Sequence, residues 1–215
     1  MSEEIVVVVS GGNPPDPRAV SIVPLGAPVV AADKGLEHAL SLGLEVTVAA
    51  GDFDSASPEA VAVAESTGTR VERHPEEKDA TDLELALDAA LALEPRRILV
   101  LAGDGGRLDH QLATLLLLGS ERYAGVQVDA LVGEAWVHVI RGSRSLVGSS
   151  GELLTLLPLG RADGITTDGL VYPLRDETLE AGSSRGVSNV FEANTARVDV
   201  ERGVVLAVRP TWSRR

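Results

Sequence analysis

Acidic residues recur in three short clusters whose types and spacing could do chemistry. Asp52 and Asp54 stand two apart in Gly51-Asp52-Phe53-Asp54-Ser55. Asp79 and Asp82 follow Lys78 in Lys78-Asp79-Ala80-Thr81-Asp82. Asp104 and Asp109 flank Arg107 in the glycine-rich stretch Gly103-Asp104-Gly105-Gly106-Arg107-Leu108-Asp109-His110. Residues two apart in an extended segment point to the same side, and two carboxylates aimed at one point repel unless a cation lies between them. Carboxylates gathered without a His or Cys partner pattern favour a hard cation, Mg²⁺ or Mn²⁺, over zinc. Mg²⁺ on a few carboxylates is the usual partner of nucleoside phosphates. Lys78 and Arg107 lie inside the clusters and suit phosphate oxygens. Gly103, Gly105 and Gly106 would let backbone N–H groups approach the same oxygens.

Each cluster also has a purely structural reading. Asp79 fits a helix N-cap, with Asp82 facing the helix dipole from the third position. Asp52 and Asp54 fit a turn, and Gly105-Gly106 fit positive φ angles in a tight one. His110 reads as a helix-start residue, and His38, His74 and His138 have no partner pattern. Trp136 and Trp212 read as packing residues. The coincidence of three clusters of one charge type at strand ends favours the chemical reading. Neither G-x-x-x-x-G-K-[ST] nor G-x-G-x-x-G is present, so P-loop and dinucleotide-binding fingerprints are excluded.

The elements that must position these clusters alternate. Ile5–Val9 is an all-apolar, β-branched run, as expected of a strand buried on both faces. Strands over Pro28–Ala32, Glu45–Ala50 and Arg97–Ala102 are expected. Between them, Leu36, Ala39, Leu40 and Leu42 approach helical spacing, and Ser57-Pro58 opens a helix. Leu83, Ala86, Leu87, Ala90 and Leu91 form one helical stripe, and Leu112, Leu115 and Leu116 another helix. Alternation of this kind predicts an α/β fold: a Rossmann-like parallel sheet with helices on both faces. Ligands of such sheets bind at the carboxyl ends of the strands. Near residue 140 helical periodicity stops. The runs Leu153–Leu157, Gly164–Thr167, Gly169–Tyr172, Ala196–Val200 and Val204–Val208 predict an all-β C-terminal domain, a sandwich or a small barrel, with Glu201-Arg202-Gly203 as a hairpin turn. The expected domains are 1–140 and 141–215.

The 215-residue chain is 44% hydrophobic and 24% charged, as in globular proteins. Its net charge of −13 argues against nucleic acid as a partner. No apolar run is long enough to span a bilayer, and Met1-Ser2-Glu3-Glu4 is acidic where an export signal is basic. Cysteine is absent, which excludes disulfides, thiolate metal sites and thiol nucleophiles. The expected location is cytoplasmic.

At these motifs the chain resembles the thiamine pyrophosphokinase (thiamine diphosphokinase) family. The resemblance rests on Ala32-Asp33 through Gly35, the Gly51–Ser55 and Lys78–Asp82 stretches, Gly105–His110, and Gly186-Val187-Ser188-Asn189-Val190-Phe191. It implies an α/β catalytic domain, a C-terminal β-sandwich, and a homodimer with active sites at the subunit interface. It implies Mg²⁺-dependent transfer of a pyrophosphoryl group from ATP to the hydroxyl of thiamine, giving thiamine diphosphate and AMP. By this match Asp52, Asp54, Asp79, Asp82 and Asp109 are the metal and phosphate-site carboxylates. Lys78 and Arg107 bind phosphate, and Asp33, Gly105 and Gly106 join the nucleotide site. Asp82 and Asp109 are both candidates to accept the alcohol proton. Ser188 and Asn189 belong in or near the thiamine pocket. Two positions depart from the family pattern. Asp33-Lys34-Gly35 replaces the common Asp-Gly-Gly, and Thr114 stands where Asn is frequent. Lys34 reads either as a phosphate contact or as a solvated helix-start residue. The same apparatus would serve a pyrophosphokinase acting on another alcohol, such as a hydroxymethylpterin. The fold would equally serve a non-catalytic thiamine- or nucleotide-binding protein.

Overall fold

A computed structural model describes residues 5–211. The acidic opening Met1–Glu4 and Trp212 lie outside the described residues. The chain forms two compact units: one of residues up to Leu117 with Gly125–Gly133, the other of Leu118–Ala124 with the chain from Glu134 onward.

The first unit contains β1 (Ile5–Val9), β2 (Val29–Ala32), α1 (Gly35–Ser41), β3 (Val48–Gly51), α2 (Pro58–Ser66), β4 (Arg70–Arg73), α3 (Asp82–Leu91), β5 (Arg97–Ala102), α4 (Leu108–Leu118) and β6 (Gln127–Val132). Its six strands are parallel, in the order β4-β3-β2-β1-β5-β6. Val6–Val9 of β1 are at most 2% exposed, as the unbroken β-branched run requires of a central strand. The chain steps outward from β1 to β4, then returns past β1 to β5. Right-handed crossovers therefore put α1 and α2 on one face and α3 and α4 on the other. In agreement, α1 packs on α2, while α3 packs on β1, β2, β3 and β5. Strand order reverses between β1 and β5, where Asn13 Nδ2 donates to Asp104 O at 2.6 Å. A Cβ at Gly103 would lie 2.4 Å from Asn13 O, so this glycine serves the close approach of the two turns.

The expected strand Glu45–Ala50 forms only from Val48. Arg70–Arg73, too polar to stand out in the sequence, is the edge strand β4. A buried ion pair braces β5 to β6: Arg97 Nη2 lies 2.6 Å from Asp129 Oδ2, and the Asp129 side chain is 0% exposed.

The second unit contains β7 (Ala135–Ile140), β8 (Ser143–Val147), β9 (Leu153–Pro158), β10 (Ala162–Asp168), β11 (Glu177–Leu179), β12 (Asn189–Val190), β13 (Thr195–Asp199) and β14 (Val205–Arg209). β7 thus precedes the boundary expected at 140/141 yet belongs to this unit. The strands form two antiparallel layers, β12-β9-β14-β7 and β11-β10-β13-β8. Leu154, Leu156, Val205 and Ala207 of one layer share a core with Leu146, Ile165, Ala196 and Val198 of the other. The fold is the α/β sheet expected from the alternation, and of the two β architectures left open by the C-terminal runs it takes the sandwich that the family resemblance implies.

Two expectations fail here. Glu201-Arg202-Gly203 is not a hairpin: β13 pairs with β8 and β10, whereas β14 pairs with β7 and β9. The turn carries the chain between layers, and the same turn residues serve either connection. Asp163 anchors it, with its N–H donating to Arg202 O at 2.9 Å. Gly169–Tyr172 is no strand either. Only Leu170 bridges, to Phe191, and a Cβ at Gly169 would lie 2.3 Å from Thr195 O.

Two stability predictions follow from these pairs. Arg97→Met strands the Asp129 charge and should cost about 2–3 kcal/mol in urea unfolding, at the lower end for buried pairs because Arg97 is partly exposed. The Arg161 hydrogen bond, then that from Thr178, holds Asp163 below the usual carboxylate range. A depressed folded pKa stabilises above the unfolded value of about 3.9 and is lost as pH falls through the folded one. Asp163→Asn should therefore be less stable than the parent at pH 7, with the gap closing below about pH 4.

Candidate active site

The carboxyl ends of β2 and β3 deliver two of the site's carboxylates, and the first turn of α3 delivers the third. Asp33 follows β2 with φ 45, a left-handed conformation that Asp tolerates better than most residues. Its N–H donates to Ala50 O at 3.0 Å, which ties it to β3. Gly51 makes the approach possible, because a Cβ there would come 3.1 Å from Asp33 Cβ. Asp52 comes next in the chain. Asp82 opens α3, where Thr81, not Asp79, is the N-cap and accepts from Glu84 N at 3.3 Å. The dipole at this helix end favours the Asp82 carboxylate. Asp33, Asp52 and Asp82 each present one oxygen within 4.8 Å of the others.

Lys78 closes this triad. Its ammonium donates to Asp52 and lies 2.9 Å from Asp82 Oδ1, and its side chain is only 13% exposed. The Lys78 hydrogen bond is the main cause holding Asp52 below its ordinary pKa. Burial alone would lower Lys78, but its bonds to Asp52 and Asp82 raise it on balance. Asp33 goes the other way: burial pushes its carboxyl up, and the Asp82 charge adds to the rise. Asp33 Oδ1 is buried and has no hydrogen-bond partner. An orphaned oxygen in an all-carboxylate donor set fits a hard divalent cation.

The other expected site residues lie outside this set of three, although Asp54 is tied to it: its N–H donates to Asp52 Oδ1 at 3.2 Å. Phe53 adopts φ 59, so Asp52 and Asp54 are not two steps along an extended strand. Asp54 is exposed and accepts from Ser55 Oγ at 2.8 Å. Asp79 is exposed. Asp109 pairs with Arg107 at 2.6 Å at the start of α4, with both side chains mostly in solvent. The Arg107 hydrogen bond holds Asp109 down to about 2. Gly105 and Gly106 have φ near 76° and 75°, the turn geometry that also suits their bland reading.

Asp33 was no part of the three clusters and entered only through the family resemblance. Alone in the sequence, it carries one signal: like Asp52, it directly follows an apolar strand.

In the second unit, Tyr172, Leu174 and residues 183–189 line a cavity of about 420 Å³. Ser188 is exposed there at φ 57, its N–H donating to Thr155 Oγ1 at 3.0 Å. Asn189 is 3% exposed. Its Oδ1 accepts from Tyr172 N at 3.1 Å and Val190 N at 2.8 Å, and its Nδ2 donates to Tyr172 O at 2.7 Å. Its amide therefore holds the cavity wall more than it faces the cavity.

Residues 27–128 match the family model for the thiamin pyrophosphokinase catalytic domain, and residues 137–205 that for its vitamin B1 binding domain. The thiamine pyrophosphokinase of Bacillus subtilis is 25% identical over 185 residues, which span 85% of this chain and 86% of that protein. A solved thiamin pyrophosphokinase family protein from Enterococcus faecalis superposes with TM-score 0.81 at 27% identity, covering 98% of this chain and 100% of the other. The Bacillus subtilis enzyme structure gives TM-score 0.83 at 23% identity, covering 97% and 100%. Two matched domains in one order, on a fold shared along nearly the whole chain, place this protein in the thiamin pyrophosphokinase family of transferases.

Proposed function

We propose that the protein is a thiamine diphosphokinase: it transfers the terminal diphosphate of ATP to the hydroxyl of thiamine, in the cytoplasm. The observation that carries this is the Asp33–Asp52–Asp82 triad with Lys78, set at the strand ends of a domain matching the family's catalytic domain. The thiamine oxygen bonds to the β-phosphorus of ATP, the bridge from the α- to the β-phosphorus breaks, and AMP leaves.

Asp33, Asp52 and Asp82 would hold Mg²⁺, with Asp54 and Asp79 nearby in the chain as further oxygen donors. Bound there, the ion supplies neutralisation of phosphate charge. Such transfers need little covalent help; position and charge do most of the work. Lys78 keeps Asp52 ionised and in place. Arg107 offers its guanidinium from the glycine-rich turn at the β5 end. Asp82 and Asp109 are the two carboxylates proposed to accept the alcohol proton; Asp109 is held down to about 2 by the Arg107 hydrogen bond. Ser188 and the cavity beside Tyr172 receive thiamine, with Asn189 shaping the wall.

A homodimer belongs to the same proposal. Leu108, Leu112 and Leu116 stand at one-turn spacing on α4, 67%, 52% and 60% exposed. A second copy covering this ridge would also shield Asp109 from water.

Purified protein with MgATP and thiamine should release AMP, and hydroxymethylpterin in place of thiamine should not support release. Asp33→Asn and Asp52→Asn should each lower turnover by about 10²–10³-fold with the fold intact by circular dichroism. Near-parental turnover in either at saturating Mg²⁺ would remove that carboxylate from the site. Lys78→Met leaves three carboxylates without their cation. Its metal-free melting temperature should fall, and Mg²⁺ should raise it by more than it raises the parent's.

A further inference from the structure

A polyphosphate carries several negative charges into a protein whose own net charge is −13. The cations of the proposed site are already engaged. Lys78 is held by Asp52 and Asp82, and Arg107 by Asp109. Lys34 is different. It follows Asp33 directly at the carboxyl end of β2, and its backbone N–H favours the charged form of the Asp33 carboxyl. Its Cβ borders the turn after β1: a Cβ placed on Gly11 would lie 3.8 Å from it. Its side chain is partly exposed, and no ion pair within 4 Å involves it among the described residues. Glu37, three residues on, is held below the usual carboxylate range chiefly by Ser57, whose N–H donates to Glu37 Oε1 at 2.7 Å, and the Lys34 charge adds to that lowering.

Local structure gives Lys34 no reason to be a lysine. It occupies the N-cap of α1 and makes no side-chain capping bond. A cation at the positive end of a helix dipole is unfavourable, by a few tenths of a kcal/mol to about 1 kcal/mol. A residue that breaks a local rule without a structural gain points to function.

We propose that Lys34 is a polyphosphate-binding residue of this chain: its uncommitted ammonium contacts the nucleotide's phosphate oxygens from the β2 side while Asp33 faces the metal. This rests on the diphosphokinase reading and adds a phosphate determinant to Lys78 and Arg107. The ammonium supplies charge-assisted hydrogen bonds to the bound nucleotide, so its loss acts on nucleotide binding and spares binding of the uncharged parts of the acceptor.

The test compares parent, Lys34→Gln and Lys34→Arg. Binding of inorganic tripolyphosphate and of MgATP is followed by calorimetry at low and moderate salt, alongside KM for ATP and for thiamine. Lys34→Gln should bind tripolyphosphate about tenfold more weakly, with a shallower salt dependence. KM for ATP should rise in proportion, KM for thiamine should stay within twofold, and the melting temperature should hold or rise. Lys34→Arg should recover most of the affinity. Parental tripolyphosphate affinity in Lys34→Gln would overturn the inference while leaving the diphosphokinase reading intact. Absence of AMP release by the parent, with tripolyphosphate still bound through Lys34, would overturn that reading alone. A parent that binds neither tripolyphosphate nor MgATP would overturn both.

Discussion

Three carboxylate oxygens held within 4.8 Å of one another repel, and the first unit is built around that constraint. The parallel sheet fixes two of them, because adjacent strands end side by side and Asp33 and Asp52 each occupy the first position beyond a strand. Glycine at 51 removes the side chain that would hold the ends apart. The third arrives on a helix capped by Thr81, whose dipole favours its charge. Lys78 then supplies one positive charge to three negative ones, which leaves the cluster short of neutrality. The shortfall is borne at Asp33, where burial has already lifted the carboxyl and one oxygen has no partner. A site left incomplete in this way is suited to an added cation rather than to rest.

Much of this was legible in the sequence, and the parts that were not have physical reasons. Apolar β-branched runs such as Ile5–Val9 announce buried strands because nothing else in a soluble protein needs them. The edge strand Arg70–Arg73 faces solvent and carries charge, so its composition hides it. Lys78-Asp79-Ala80-Thr81-Asp82 places a helix start to within a few residues, yet three of its residues can cap, and only the backbone shows that Thr81 does. The pairing of Asp52 with Asp54 depends on an extended segment, and Phe53 at φ 59 breaks it. That aromatic is buried at 9% exposure with Arg73 5.4 Å over its ring, so packing sets its backbone against its ordinary preference. Asp33 and Asp82, far apart in sequence, come together through strand order, which no local spacing encodes.

The second unit shows the same limit from the β side. Alternation marks its strands, but two strands joined by a glycine turn can pair or part. β13 and β14 part because each has inward residues that complete a different layer: Ala196 and Val198 in one, Val205 and Ala207 in the other. Asn189 makes a related point about polar residues in a motif. Its position beside an exposed serine invites a ligand role, yet three hydrogen bonds turn its amide toward the backbone of Tyr172 and Val190. A buried amide is costly unless satisfied, and satisfying it here fixes the wall of a cavity.

Charge links these observations. An acidic protein that takes an anionic substrate works against its own field, and the few cations it keeps must be placed where the field is worst. Its only two lysines both lie at the carboxyl-end side of the parallel sheet, each within four residues in sequence of a triad aspartate. One is bound into the triad and the other is not. An ammonium locked between carboxylates stabilises the empty site and offers little to a ligand. A free ammonium at an unfavourable helix end costs stability and offers its full charge. In the proposed reading the first holds the carboxylates in place and the second is the one a polyphosphate recruits. Moving either charge into the other's role would give a stable site that binds weakly, or a hungry site that does not hold its shape.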